Sequence, residues 1–138
     1  MNVAFFLKPK SEVAYLQDSM PLPLALNELR RSGFTSVPVI DREGKYVGAV
    51  SEGDFLLSLA QTDGVHLRLS SIEDIEKKRL RDILRPDRNP SAHIDEPAET
   101  LVSRTAGQNY VPIVDDRGVF IGIVTRRNVI RYFLEKLR

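Results

Sequence analysis

Two short stretches carry the side chains best suited to hold a polar, charged ligand: Ser51-Glu52-Gly53-Asp54 and Thr125-Arg126-Arg127-Asn128. Ser51 and Thr125 are residue types that open helices, so Asp54 and Asn128 should each stand one turn into a helix. A carboxylate at Asp54 can accept from both hydroxyls of a ribose, although the helix dipole alone also favours an acid there. Arg126 and Arg127 fall where backbone N–H groups already attract an anion, and as cations they oppose the dipole unless a phosphate offsets them. The alternative for the arginines is a solvated charged face. Asn128 lacks the charge that strengthens a grip on a diol, and Glu52 repels phosphate. The two sites should therefore differ, one well used by an anionic ligand and the other weaker or empty.

The same chain lacks the patterns of catalysis. There is no nucleophile with a base beside it, no His-Glu-x-x-His, no glycine-rich phosphate loop with its lysine and no dinucleotide fingerprint. No catalytic residue, and hence no enzyme activity, is expected. His66 and His93 have no partners at metal-ligand spacing, so both read as structural or surface residues and no metal site is expected. The absence of cysteine excludes disulfides, thiolate zinc and thiol nucleophiles, and a cytoplasmic location is the default. Twenty basic against nineteen acidic residues leave a formal charge of +1, which gives no field for wrapping nucleic acid or adhering to anionic lipid. Arg79, Arg81, Arg85 and Arg88 form a local basic stretch with few aromatics interleaved, and read as a solvated or dimer-contacting surface. The apolar run from Met1 to Leu7 has no basic residues before it and meets Lys8-Pro9, which suits neither a signal peptide nor a membrane span.

An internal repeat positions these residues. Residues 33–51 lie over residues 107–125 at a constant displacement of 74 positions, with seven identical pairs: three glycines, two valines, one proline and one aspartate. Upstream, Phe6-Leu7-Lys8-Pro9 resembles Ile83-Leu84-Arg85-Pro86 at a displacement of 77, so the first copy has three extra residues in a loop. Each copy reads as a helix, a hairpin and a second helix. The first helix should open at Pro23 and close at Gly33; its counterpart should be capped by Asp95, start at Pro97 and close at Gly107. Val37-Pro38-Val39-Ile40 and Tyr46-Val47-Gly48-Ala49-Val50 form strands around an Asp41–Gly44 turn. Pro38 and Pro112 cannot donate to a ladder, so their strands should lie on an edge or begin at the proline, leaving backbone free. Apolar spacing at Phe55, Leu56 and Leu59, and at Val129, Ile130, Phe133, Leu134 and Leu137, completes an amphipathic helix in each copy. Between the copies, Thr62-Asp63-Gly64 reads as a turn and Ile72–Ile75 as a short helix in a connecting segment.

An adenine needs an apolar slot with backbone hydrogen-bond partners at its edge. The strand entered at Val37-Pro38 offers both, with Phe34 able to cover a base face and Thr35 and Ser36 adding hydroxyls. Alternatively, Phe34 only caps the core and Thr35 is a turn residue. Tyr110, Val111 and Pro112 hold the corresponding places in the second copy.

The pattern Gly-x-x-x-Val-Pro-Val/Ile, an Asp…Gly hairpin, and then Gly-hydrophobic-hydrophobic-Ser/Thr-x-x-Asp/Asn resembles the CBS domain in its tandem form. The resemblance covers nearly the whole chain. It implies an α+β fold of two β-α-β-β-α modules packed through their sheets, with module 1 over 1–61, a connecting segment over 62–78 and module 2 over 79–138. It further implies an adenosine-containing regulatory ligand in a cleft between the modules (AMP, ADP, ATP, S-adenosylmethionine or cyclic di-AMP), no other cofactor, and a homodimer. Thr125-Arg126-Arg127, following Phe120-Ile121-Gly122-Ile123-Val124, is similar to small stand-alone Gram-positive CBS pairs that bind cyclic di-AMP. In those relatives the segments matching Val13-Ala14 and Phe34-Thr35-Ser36, and the paired arginines, line the nucleotide site, and in the family the Asp54 position contacts ribose. The expected ligand set is thus Val13, Ala14, Phe34, Thr35, Ser36, Val37, Pro38, Ser51, Asp54, Tyr110, Val111, Pro112, Thr125, Arg126, Arg127 and Asn128. The function implied is that of a sensor signalling through a protein partner; an AMP/ATP energy sensor and a ligand-free oligomerisation module are the alternatives.

Overall fold

The computed structural model describes residues 3–62, 67–85 and 87–137. The centre of the turn read at Thr62-Asp63-Gly64, together with His66 and Pro86, lies outside them. In chain order the strands and helices are β1 Leu7–Pro9, β2 Leu16–Gln17, α1 Leu22–Ser32, β3 Ser36–Ile40, β4 Tyr46–Ser51, α2 Glu52–Leu59, β5 Ala60–Thr62, β6 Leu67–Leu69, α3 Ile72–Lys77, β7 Ala92–His93, α4 Ala98–Thr105, β8 Tyr110–Val114, β9 Phe120–Thr125 and α5 Arg126–Lys136. The repeat is visible in this order: strand, helix, hairpin and helix occur twice. The connecting segment is more structured than its polar composition implies, because β5 and β6 pair antiparallel and α3 turns Ile75 toward a buried core.

Local chemistry explains most of the boundaries. Pro23 sits in the first turn of α1, where its missing N–H costs no helical bond, and Gly33 ends the helix in the left-handed conformation at φ 75°. The second copy departs from this expectation. Pro97, not Asp95, precedes α4: Pro97 is itself non-helical at ψ 139°, so the helix starts at Ala98 and Asp95 lies too far upstream to cap it, in a His93–Glu96 turn where its N–H donates to His93 Nδ1 at 3.0 Å. Gly107 is not left-handed either. Ala106 keeps a right-handed helical conformation, and the N–H groups of Gly107 and Gln108 both donate to the Arg104 carbonyl at 3.0 Å.

The compact units cross the boundaries of the repeat. Unit I comprises Met1–Val13, Glu43–Tyr46 and Asn89–Arg138, and unit II comprises Ala14–Arg42 and Val47–Arg88. In unit I a four-stranded sheet runs β1-β9-β8-β7, so the strand that opens the first copy pairs antiparallel with the second copy's last strand, Lys8 opposite Ile123. In unit II the sheet runs β2-β3-β4, and Arg85, the repeat counterpart of Lys8, bridges Ala49, the counterpart of Ile123. Gly122 admits β1: a Cβ there would strike the Lys8 carbonyl oxygen and come within 2.9 Å of Leu7 Cδ1 and 3.1 Å of Pro9 Cα.

Each unit has its own core. Val3 and Phe6, from the apolar N-terminal run, join Leu101, Val111, Ile113 and Val124 in unit I, while Leu22, Leu29, Val37, Val39, Phe55 and Leu80 fill unit II. The hairpin turn carrying Gly44 and Tyr46 also belongs to unit I. Tyr46 N donates to the Gly118 carbonyl at 3.2 Å and Phe120 N to the Gly44 carbonyl at 2.9 Å, a reciprocal pair between repeat-related residues.

Both prolines stand in central strands, not in edge strands. The edge argument nevertheless applies locally: β7 pairs with β8 only from Ile113 onward, and β2 pairs with β3 only at Val39 and Ile40. Val37-Pro38 and Val111-Pro112 therefore have no strand neighbour on that side among the described residues.

Candidate functional site

One backbone bond sets the geometry in each unit. In unit II, Glu52 N donates to the Thr35 carbonyl at 3.1 Å; in unit I, Arg126 N donates to the Asn109 carbonyl at 2.9 Å. Each bond fastens a helix start to the loop that enters the first strand of the preceding hairpin, β3 or β8. Phe34-Thr35 is thereby brought beside Ser51–Asp54, and Asn109-Tyr110 beside Thr125–Asn128.

In unit II the side chain expected to cover a base is available. Phe34 is 52% exposed, its N–H held by Ser32 Oγ at 3.1 Å, and Thr35 is exposed beside it. Ser36 is half-buried, whereas Val37 and Pro38 are buried and can offer only backbone. Asp54 is not open as the ribose role requires. It is 4% exposed, and its Oδ2 accepts from Ser51 N at 2.9 Å and Ser51 Oγ at 3.0 Å, closing a capping box in which Ser51 Oγ accepts from Asp54 N at 3.2 Å. Its Oδ1 accepts from Arg88 at 2.6 Å, with Arg85 Nε at 3.8 Å. The basic stretch Arg79, Arg81, Arg85 and Arg88 is exposed, and it has partners besides: Arg85 and Arg88 neutralise a buried carboxylate, and Arg79 donates to the Ser19 carbonyl at 2.6 Å.

In unit I, Thr125 caps α5 by accepting from Asn128 N at 3.0 Å. Arg126 is partly committed elsewhere: its Nε donates to the Thr105 carbonyl at 2.7 Å and a terminal nitrogen donates to that of Ala106 at 3.3 Å. Those carbonyls close α4, so Arg126 works with the dipole of α4 while opposing that of α5. The penalty that argued for a bound anion therefore falls mainly on Arg127, which is exposed and has no ion pair among the described residues. Asn109, Thr125, Arg126, Arg127 and Ile130 line an open hollow of about 480 Å³. Tyr110 and Asn128 are half-buried at its margin in sequence, and Val111 and Pro112 are buried. Val13 and Ala14, expected side by side in one site, fall on either side of the division between the units.

Sequence reasoning missed Asn109, although its position follows from Thr35 by the repeat displacement. It also missed Arg85 and Arg88. His93 is not without partners: its Nε2 lies 2.6 Å from Asp116 Oδ1 and its Nδ1 accepts from Asp95 N. That arrangement joins a β-strand to a turn and consumes both ring nitrogens. In the same turn the adjacent Asp115 accepts from Val119 N at 3.0 Å and Arg117 N at 2.9 Å, and these donors hold its carboxyl below the ordinary value of 3.8. Burial, with Tyr110 adding, pushes the Tyr46 phenol well above its usual range, and its O–H donates to the Asn89 carbonyl at 2.7 Å. Among the described residues, no helix is long and apolar enough to cross a membrane.

Comparison with known proteins places this geometry. The chain is 26% identical over 137 residues to cyclic di-AMP receptor B of Bacillus subtilis, covering 99% of this chain and 89% of that protein. It is 34% identical over 122 residues to the A-adding tRNA nucleotidyltransferase of Aquifex aeolicus; that match covers 88% of this chain but only 13% of the enzyme. Its fold matches the CbpB protein of Listeria monocytogenes in complex with c-di-AMP with a TM-score of 0.83 and 27% identity, over 98% of this chain and 96% of that one. The CBS domain model matches twice, over residues 6–61 and 80–135, so the chain belongs to the CBS-domain family as a tandem pair.

Proposed function

We propose that this protein is a regulatory sensor that binds a phosphate-bearing adenine nucleotide, with cyclic di-AMP as the leading candidate and AMP, ADP and ATP next. The observation that carries this reading is Arg127: an exposed cation without an ion pair among the described residues, in the first turn of α5, bordering the hollow lined by Asn109, Thr125 and Arg126. In the first turn of α5, Arg126 N and Asn128 N are spent on the Asn109 carbonyl and Thr125 Oγ1, so a phosphate there would be met by the N–H and guanidinium of Arg127 together with the positive end of the helix dipole. The backbone at Val37-Pro38 and Val111-Pro112 offers hydrogen-bonding edges to adenine, with Phe34 beside the former. Likeness to a cyclic di-AMP receptor and to a c-di-AMP complex supports the choice of ligand.

The protein is read as non-catalytic and cytoplasmic, without nucleic-acid or membrane partners. Its output is contact with another protein, which must prefer one ligand state for any signal to pass. Ile130, Phe133 and Leu134 are exposed along one face of α5, and Leu56, the repeat counterpart of Ile130, is exposed on α2 with Leu57 beside it; these faces support a homodimer. Calorimetric titration with cyclic di-AMP, AMP, ATP and S-adenosylmethionine tests the proposal. Saturable binding of at least one phosphate-bearing nucleotide, weakened by Arg127→Ala in a protein that melts normally, is expected. No heat from any of the four, with the protein folded, overturns it.

A further inference from the structure

We infer that Arg88 is a latch on Asp54 that makes nucleotide binding in unit II depend on the ligand's phosphate; this rests on the sensor reading above. The argument concerns which carboxylate oxygen is free. Oδ2 of Asp54 is consumed by the N–H and hydroxyl of Ser51, and loosening those bonds would uncap α2. A ribose hydroxyl must therefore donate to Oδ1, and Oδ1 is held by Arg88 at 2.6 Å, with the same nitrogen 3.3 Å from Ser51 Oγ.

The two partners differ in their freedom to move. The Asp54 side chain is 2% exposed and fixed by the capping box, while the Arg88 side chain is 48% exposed and comes from a short loop. When a diol arrives, Arg88 is the group that leaves. Displacing a guanidinium from a buried carboxylate is costly if nothing replaces the lost pairing. A phosphate on the same ligand supplies a new anion for Arg88, and its planar fork suits phosphate oxygens. A nucleoside supplies no such anion. Arg85, 3.8 Å from Oδ1, stays near the carboxylate as its remaining counter-charge when Arg88 swings away. Unit I has no equivalent device, because Asn128 stands where Asp54 would be.

The test is a comparison of AMP with adenosine, by calorimetry, on wild type, Arg88→Ala and Arg88→Lys. Wild type should prefer AMP strongly. Arg88→Ala should bind adenosine more tightly than wild type and AMP more weakly, shrinking the AMP-to-adenosine ratio by on the order of tenfold. Arg88→Lys, which keeps the charge, should restore part of the ratio and guards against a variant that fails to fold. An unchanged ratio in both variants, with AMP still bound, overturns the latch and leaves the sensor reading standing. Wild type binding neither AMP nor adenosine overturns the latch together with an Asp54 nucleotide site.

Discussion

If Arg126 and Arg127 both hold phosphate as proposed, replacing them one at a time should separate a residue that serves fold and ligand from one that serves the ligand alone. Arg126 donates to the last carbonyls of α4 at 2.7 and 3.3 Å from a half-buried position. Hydrogen bonds from a charged donor are worth about 1.5–3 kcal/mol where fully buried. Partial exposure and the longer second bond bring Arg126→Ala to a loss of about 1–2 kcal/mol, or roughly 3–8 °C in melting temperature for a chain of this size. Arg127 makes no such bond among the described residues, and its removal relieves a cation at a helix N-terminus. Arg127→Ala should therefore melt within about 0.5 kcal/mol of wild type, on the stable side if it shifts. Thermal melts of ligand-free protein read this directly, and the same samples titrated with nucleotide should both show weakened binding. An Arg126→Ala protein as stable as wild type, or an Arg127→Ala protein that melts equally low, would refute the division of labour.

Three further outcomes follow from the packing. Gly122→Ala, whose Cβ meets β1, should cost more than Gly118→Ala, which has open space and only a left-handed φ of 79° to overcome; about 2–3 kcal/mol against about 1 is expected in denaturant unfolding, and equal costs would show that β1 does not lie against Gly122. Asp115 titrates lower in the folded chain than in the unfolded one, so its stabilisation is full above the ordinary value of 3.8 and is lost as pH falls through the folded value. Asp115→Asn should thus flatten the acid side of a stability–pH curve below about pH 4, whereas an acid limb parallel to wild type contradicts the assignment. Tyr46→Phe removes the donor to the Asn89 carbonyl and should lower stability by about 1 kcal/mol; no loss in melting temperature would mean that water replaces the bond without cost.

Much of the fold could be read from short-range chemistry. The hairpins, the Gly33 terminus and the capping residues Ser51 and Thr125 follow from residues no more than a few positions apart, and the repeat supplied the hairpin and the Ser/Thr cap twice, though not the glycine terminus. The pairing of β1 was not legible. Three residues carry almost no register information, and both last hairpin strands present a glycine able to receive them. The site divided in the same way. Phe34, Thr35, Arg126 and Arg127 could be named as candidates from residue type and local offset alone, but Arg88 pairs with Asp54 across 34 positions and Arg126 reaches α4 across 21. An Asp three residues after a capping Ser was itself a warning that the carboxylate could be spent on its own helix.

The most direct test of where nucleotide binds is photocrosslinking with an 8-azido adenine nucleotide, followed by peptide mapping with competition by unlabelled cyclic di-AMP or AMP. The account predicts competable adducts within residues 34–38 or 109–112, beside the two helix starts. Adducts confined to other segments, or labelling that no unlabelled nucleotide suppresses, would contradict it.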